Sequence, residues 1–218
     1  MSIENLKPMQ LIAPELLALD AEFSPLSMGL AKVLLRRRST REFGPGELSL
    51  YRLSRLLWTA FGVNRPAQGL RTAPTAGNLQ NIDIYAALPG GLYRYDAGQQ
   101  QLQPVLARDV RAATGDQDYV ADAPLDLIYV ATFDGDQHGP RPEQQFYAAL
   151  DTGFISQNVY LFCAAEGLAT VVRGWLDRSA LAALMGLAPN QLVIAAQSVG
   201  FPRVWPYADA DIFPASDD

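Results

Sequence analysis

The sequence predicts an α+β fold in which a central mixed or antiparallel sheet is flanked by helices, one of them long. The first observation is residues 143–166, which are apolar or small for most of their length and have the length of a long helix. The second is Gly90-Gly91, a turn sequence typical of a hairpin, between two short strand patterns. The third is the apolar run 125–133, typical of a strand covered on both faces. Helices combined with hairpin and long-connection strands indicate the α+β class.

The helix patterns come first in the chain. Residues 27–35 form a short apolar helix, and Ser49 caps a second helix that runs to about Phe61 and ends at Gly62. The long helix is apolar nearly all the way round, so it should be buried on more than one side. We therefore expect one side of it to face a second subunit. A short helix follows at residues 179–185.

The remaining segments are strands and loops. Strand patterns occupy residues 82–88, 92–95, 102–106, 125–133, 168–172 and 192–199. Residues 63–80 are predicted to be a long functional loop, because the segment is rich in polar residues, Gly and Pro and contains few charged residues.

No linker divides the 218 residues, so the sequence predicts one domain over residues 27–203. Residues 1–26 are predicted to be an N-terminal lead-in with a short helix after Pro14. Residues 204–218 are predicted to be an extended arm, because Pro206 and Pro214 interrupt them.

The amino-acid composition argues against nucleic acid and membranes as binding partners. A net charge of −6 gives nucleic acid no general attraction, and no apolar run approaches the roughly 18 residues of a membrane span. The chain has one cysteine and no visible secretory signal, so the expected location is the cytoplasm.

Several kinds of chemistry lack the residues they need. One histidine, His138, and one cysteine, Cys163, cannot supply a usual zinc site, and Cys163 is predicted to be a core residue. Neither a nucleophile elbow nor a glycine-rich nucleotide loop is present. The remaining combination of arginines, hydroxyls and an apolar framework suits a bound cofactor that carries the chemistry itself.

The candidate anion site is Arg36–Phe43, where four arginines fall within six positions. A guanidinium pairs with two phosphate oxygens at once, and Ser39 adds a neutral donor. In an extended segment, Arg37, Ser39 and Arg41 would share one face. A solvated, charged helix end without a ligand is the alternative reading.

Five segments together resemble the FMN-dependent nitroreductases. They are Arg37-Arg38-Ser39-Thr40-Arg41-Glu42-Phe43, the loop Arg71–Gln80, Leu150-Asp151-Thr152-Gly153 with Gln157-Asn158 and Glu166-Gly167-Leu168, Val172-Arg173-Gly174, and Ser198-Val199-Gly200. The hairpin at residues 91–95 is more similar to the thiazole/oxazole-forming (SagB-type) dehydrogenase branch. The Lys-Tyr pair expected of those enzymes is absent, since Gly174-Trp175 follows Arg173.

The resemblance implies a nitroreductase-like fold, bound FMN and a homodimer with the long central helix at its interface. It implies that the FMN phosphate is held by Arg37, Arg38 and Ser39. Many members add a basic residue close to the C-terminus, and nothing basic follows Arg203 here, so either Arg203 completes the clamp or the clamp is lighter. It places Arg41 beside the pyrimidine edge of the flavin and the backbone N–H groups of Arg173 and Gly174 near its reactive nitrogen. Other positions implied to approach the ring are Gln117 and, from the second subunit, Pro74, Thr75, Ala76 and Asn78.

The activity implied is a ping-pong reduction of a nitroaromatic, a quinone or a related small-molecule acceptor, with NADH or NADPH as a transient donor. No side chain is then required as a catalytic acid or base, and no nucleic acid, membrane or metal is involved. Three alternatives remain open. The chain could be a flavin-dependent dehydrogenase or dehalogenase of one metabolite or peptide, a flavin-binding protein without turnover, or a protein with an arginine-rich surface and no cofactor.

Overall fold

The computed structural model describes residues 6–13, 29–135 and 139–204. Within these ranges the helices are α1 (Leu30–Arg36), α2 (Leu50–Phe61), α3 (Arg141–Glu166) and α4 (Arg178–Met185). The strands are β1 (Met9–Gln10), β2 (Phe43–Gly44), β3 (Val63–Arg65), β4 (Leu70–Arg71), β5 (Ile82–Leu88), β6 (Gly91–Asp96), β7 (Gln101–Leu106), β8 (Leu125–Thr132), β9 (Ala169–Arg173) and β10 (Gln191–Pro202). Three features of the sequence analysis lie outside the described residues. They are His138, the predicted helix after Pro14 and nearly all of the C-terminal arm.

One eight-stranded sheet organises the chain and confirms the α+β prediction. Its order is β1-β7-β6-β5-β8-β10-β2, and β9 also pairs with β10. Every recorded pairing in it is antiparallel, so the predicted mixed or antiparallel sheet is antiparallel within the described chain. The apolar strand β8 lies between β5 and β10, and all its residues except Thr132 are buried. This position explains why its sequence is a continuous apolar run.

The long helix α3 packs against the sheet, α1 and α2. Ile155, Val159 and Cys163 are fully buried, which confirms Cys163 as a core residue. Phe146, Leu150 and Phe154 repeat every fourth position and are 65%, 45% and 41% exposed. Residues four apart lie on the same side of a helix, so these three form one exposed apolar stripe. The helix ends at Gly167, whose φ of 69° is the left-handed conformation that glycine adopts readily.

The helix α2 begins as predicted, but the reason for its terminal glycine differs. The Ser49 side chain accepts a hydrogen bond from the Arg52 backbone N–H at 3.3 Å. Gly62 ends the helix as predicted, but its φ of −72° is not the left-handed conformation that glycine often adopts at this position. A Cβ at Gly62 would lie 2.4 Å from Trp58 Cδ1, so close packing requires glycine here.

Two predictions about extended segments were wrong in detail. Residues 63–80 are not one long loop, because β3 and β4 pair within them as a separate two-stranded sheet. Arg71 secures this segment by donating to Gln80 Oε1 at 2.8 Å and to the Phe61 carbonyl at 3.1 Å. The two-residue strand β1 was missed, and β10 extends three residues past the predicted end. Strands of two or three residues carry too few side chains for a period-2 pattern.

Candidate functional site

The arginine segment begins where α1 ends. Arg36 is the last helical residue and is buried, and the chain after it runs alongside β9, with the Thr40 N–H donating to the Thr170 carbonyl at 2.9 Å. Arg37 and Ser39 do share a face, as an extended segment predicts, since both contact Tyr160. Arg41 is exposed. The backbone of the segment is therefore held against the sheet, while the side chains of Arg38, Ser39 and Arg41 are exposed.

Tyr160 on α3 joins the arginine segment to β9. Its hydroxyl lies 2.8 Å from Ser39 Oγ and accepts a hydrogen bond from the Val172 N–H at 3.0 Å. The Arg37 guanidinium lies over the tyrosine ring, 5.5 Å from its centroid. The sequence analysis missed this residue. The available signal was a tyrosine in an otherwise apolar helix, since a buried hydroxyl needs a hydrogen-bond partner.

Several arginine side chains lie at this edge of the sheet. Arg37 and Arg41 form no salt bridge with any residue that the structure describes. The Arg203 backbone N–H donates to the Glu42 carbonyl at 3.1 Å, which brings Arg203 beside the segment. Its guanidinium is 3.9 Å from Asp122, and both side chains are more than half exposed, so water screens this pair. These arginines remain available to an anion.

The side chain of Arg173, at the end of β9, is buried and not at the surface. It donates to Asp126 Oδ1 at 2.7 Å and to the Thr114 carbonyl at 2.7 Å. Both side chains of this ion pair are at most 2% exposed. Burial raises the pKa of Asp126 to about 6, although Arg173 and the Ser198 hydroxyl oppose the rise. The side chain therefore anchors β9, and only the backbone of Arg173 could serve a ligand.

Gln117 is held next to the residues that follow β9. Its Nε2 donates to the Trp175 carbonyl at 3.0 Å, while its Oε1 is buried and has no hydrogen-bond partner among the described residues. Gly115 permits this arrangement, because a Cβ there would lie 2.1 Å from Arg173 Nη1. At Gly174 a Cβ would approach only the Arg178 guanidinium, at 3.8 Å. An unpartnered amide oxygen and an open backbone therefore lie at the same end of β9.

The loop that contains Pro74, Thr75, Ala76 and Asn78 lies elsewhere on α3. The Ala76 N–H donates to both carboxylate oxygens of Asp151, at 3.0 and 3.2 Å. Burial raises the pKa of Asp151, and the hydrogen bond from Ala76 opposes that rise. Asp151 and Tyr160 are nine residues apart, which corresponds to about 14 Å along a helix. One protomer therefore holds the loop and the arginine segment at separate places.

The residues at the β9 edge fit FMN in their donors and acceptors. Exposed guanidinium groups and a serine hydroxyl suit a phosphate, and the Gln117 oxygen suits an N–H of a flavin ring. No group of three or more His, Cys, Asp or Glu residues within the described ranges could hold a metal ion. No helix in the same ranges is long and apolar enough to cross a membrane.

Comparisons with known proteins agree with this fold. A family model described as "Nitroreductase family" matches residues 34–201. A relative from Methanocaldococcus jannaschii, provisionally named a nitroreductase, is 31% identical over 155 residues, which are 66% of this chain and 78% of that protein. A crystal structure from Ralstonia eutropha, provisionally named in the same way, is 42% identical with a TM-score of 0.81, and 89% of each chain is covered.

A more distant structure shares the fold. The NADPH:FMN oxidoreductase of Vibrio harveyi, solved in complex with NAD⁺, is 21% identical with a TM-score of 0.60. The match covers 81% of this chain and 70% of that one.

Proposed function

Because this chain belongs to the nitroreductase family, we propose that it acts as a homodimeric, FMN-dependent NAD(P)H oxidoreductase. The proposed acceptors are nitroaromatics, quinones and related small molecules, and the proposed order is ping-pong. The family is one of flavin-dependent oxidoreductases, which supports the reaction class. The proposed cofactor agrees with the name of the V. harveyi protein, an NADPH:FMN oxidoreductase with the same fold.

The observation that carries the proposal is the fixed arginine segment beside the end of β9. Arg37, Arg38 and Ser39 would hold the phosphate of FMN, with Arg203 adding a guanidinium from the position that follows β10. Charge-assisted hydrogen bonds of this kind contribute about 1.5–3 kcal/mol each. The attachment of Arg37 and Ser39 to Tyr160 keeps both groups on one side, so little reorganisation is needed to bind an anion.

The residues at the end of β9 would hold the flavin ring. Arg41 would lie beside the pyrimidine edge, where a positive charge stabilises a reduced, anionic ring. Gln117 would accept a hydrogen bond from the ring, and the N–H groups of Arg173 and Gly174 would donate to it. When bound, FMN would supply hydride transfer from NADH or NADPH to the acceptor, so no side chain need act as an acid or base.

The proposed dimer would complete the site. The apolar stripe of Phe146, Leu150 and Phe154 is exposed on α3, and a second copy would cover it. The loop Pro74–Asn78 lies about 14 Å along α3 from the residues that face Tyr160. We propose that a twofold arrangement brings this loop of the second subunit to the first subunit's flavin, so that Pro74, Thr75, Ala76 and Asn78 act across the interface.

The experiment begins with the purified protein and the flavin released from it by heat. We expect FMN by mass spectrometry and fluorescence, and oxidation of NADH or NADPH in the presence of a quinone or a nitroaromatic. Initial rates should give parallel double-reciprocal lines, as a ping-pong order requires. If the protein binds FMN tightly but neither NADH nor NADPH reduces it, the result would favour a flavin-binding protein without turnover. Colourless protein that does not take up added FMN would overturn the proposal.

A pair of arginine variants tests the phosphate site. Arg37→Gln should weaken FMN binding by about 10- to 100-fold, because it removes a charged donor. Arg94→Gln is the control, since Arg94 is an exposed arginine on β6. Equal FMN affinity in the two variants would contradict the assignment.

A second candidate is a metabolite-specific dehydrogenase or dehalogenase. The sequence resemblance of the β6 hairpin to the thiazole/oxazole-forming branch favours it, whereas Gly174-Trp175 departs from the residues of that branch. Turnover of such a substrate at rates far above those with quinones would select this candidate.

A further inference from the structure

Tyr160 connects three parts of the proposed phosphate site. It belongs to α3, its side chain is 7% exposed, and its hydroxyl lies between Ser39 of the arginine segment and Val172 of β9. The backbone N–H of Val172 can only donate, so the phenol oxygen is the acceptor in that 3.0 Å contact. The contact with Ser39 Oγ, at 2.8 Å, can run in either direction.

Counting protons decides the direction. A phenol has one proton, and within the described residues Ser39 Oγ is the neighbouring atom that can accept it. If Ser39 donated to Tyr160 instead, the buried phenol proton would lose that acceptor, which costs about 1–3 kcal/mol. On this ground we assign Tyr160 as the donor to Ser39, an arrangement in which the Ser39 proton is directed away from the tyrosine.

We propose that Tyr160 is a positioning residue that presents the Ser39 hydroxyl proton to the phosphate of the cofactor. Because Ser39 is exposed, its proton can reach an anion on the same face as Arg37. The tyrosine ring also restrains the Arg37 guanidinium, which lies 5.5 Å from the ring centroid. This inference rests on the proposed function, and it adds a group that does not itself touch the cofactor.

The test compares FMN with riboflavin, which has the same ring and no phosphate. Tyr160→Phe keeps the ring beneath Arg37 and removes only the hydroxyl. Flavin fluorescence titrations of the apoprotein should show FMN binding weakened about tenfold and riboflavin binding changed less than twofold. Tyr95→Phe is the matched control, because Tyr95 is also buried and donates to Gln100 Oε1 at 2.6 Å on a different part of the sheet. It should alter neither affinity.

A double-mutant cycle tests the route through Ser39. Ser39→Ala should weaken FMN binding on its own, and adding Tyr160→Phe to it should cause less than a further twofold loss. An equal loss of FMN and riboflavin in Tyr160→Phe, or a full tenfold loss in the Ser39→Ala background, would overturn the inference. Unchanged FMN affinity in Tyr160→Phe would also overturn it. If the wild-type protein binds neither flavin, the proposed function itself fails, and that result is distinct from the others.

Discussion

The buried pair of Arg173 and Asp126 makes a quantitative prediction about stability. Arg173→Met would keep much of the side-chain volume and would leave the Asp126 carboxylate buried without its cation. It would also remove hydrogen bonds to the Thr114 carbonyl and hydroxyl, at 2.7 and 3.0 Å. Breaking a buried pair from one side costs about 3–5 kcal/mol, so we expect this loss in the free energy of unfolding at pH 8. For a chain of this size that corresponds to a fall of about 6–20 °C in Tm.

The pH dependence of this cost follows from the pKa of Asp126. Its folded pKa of about 6 lies above the unfolded value of 3.8, so the folded protein binds the extra proton and this group's contribution to stability falls as pH rises from about 4 to 6. Without Arg173 the folded pKa rises further. The cost of Arg173→Met therefore grows as the pH rises above about 6, by at most about 1.4 kcal/mol per pH unit. At pH 5 we expect a remaining cost of about 1–2 kcal/mol from the lost hydrogen bonds.

The assay is urea unfolding at pH 5 and pH 8 at one protein concentration, followed by circular dichroism. Arg111→Met is the control, because Arg111 pairs with Asp109 at the same 2.7 Å while the two side chains are 17% and 41% exposed. Its cost should be about 1–2 kcal/mol, because the exposed pair contributes little and the main loss is the 2.7 Å hydrogen bond from Arg111 to the Ala123 carbonyl. Arg111 lowers the pKa of Asp109, so this carboxylate stays charged at both pH values and the cost should not change between them. A loss in Arg173→Met no larger than in Arg111→Met, or one that does not shrink at pH 5, would refute the reasoning.

Three further predictions concern packing, self-association and thiol reactivity. Gly62→Ala should lower the free energy of unfolding in urea by about 1–3 kcal/mol, because the added Cβ would collide with Trp58. Gly90→Ala is the control, since the space around Gly90 is open, and it should cost under about 0.5 kcal/mol. Equal costs for the two variants would contradict the packing argument. In the proposed homodimer, Phe154→Glu should shift the sedimentation from dimer to monomer, because it puts a charge into the exposed stripe. A variant that sediments as a dimer like the wild type would exclude this stripe as the interface. Cys163 is fully buried and burial raises its pKa, so iodoacetamide should label it only after unfolding, and rapid labelling of the native protein would disprove this.

Long elements with a clear period could be predicted from the sequence. Helices α2 and α3 and strand β8 each carry a pattern of apolar side chains over eight or more residues. The observed ends of all three elements lie within a few residues of the predicted ends. Short elements could not be predicted. Strands β1, β3 and β4 contain two or three residues each, and their pairing partners decide whether they are strands at all.

The candidate site divides in the same way. The density of arginines at positions 36–41 predicted an anion site, and the structure shows that one of these four side chains, Arg36, is buried. The sequence could not show that Arg173 faces inward, since its partner Asp126 is 47 positions away. Nor could it show that Tyr160 contacts Ser39, 121 positions earlier in the chain.

The sequence by itself determined the fold class, the long apolar helix and the residue types available to bind an anion, because local periodicity and composition are properties of neighbouring positions. The tertiary structure decided that Arg173 is buried against a carboxylate and that other arginines remain exposed at the edge of the sheet. It also decided that a tyrosine contacts the serine between them. The physical reason is that burial and hydrogen bonding depend on which distant segments meet, and the same guanidinium is structural when enclosed with a carboxylate and available for binding when it faces water.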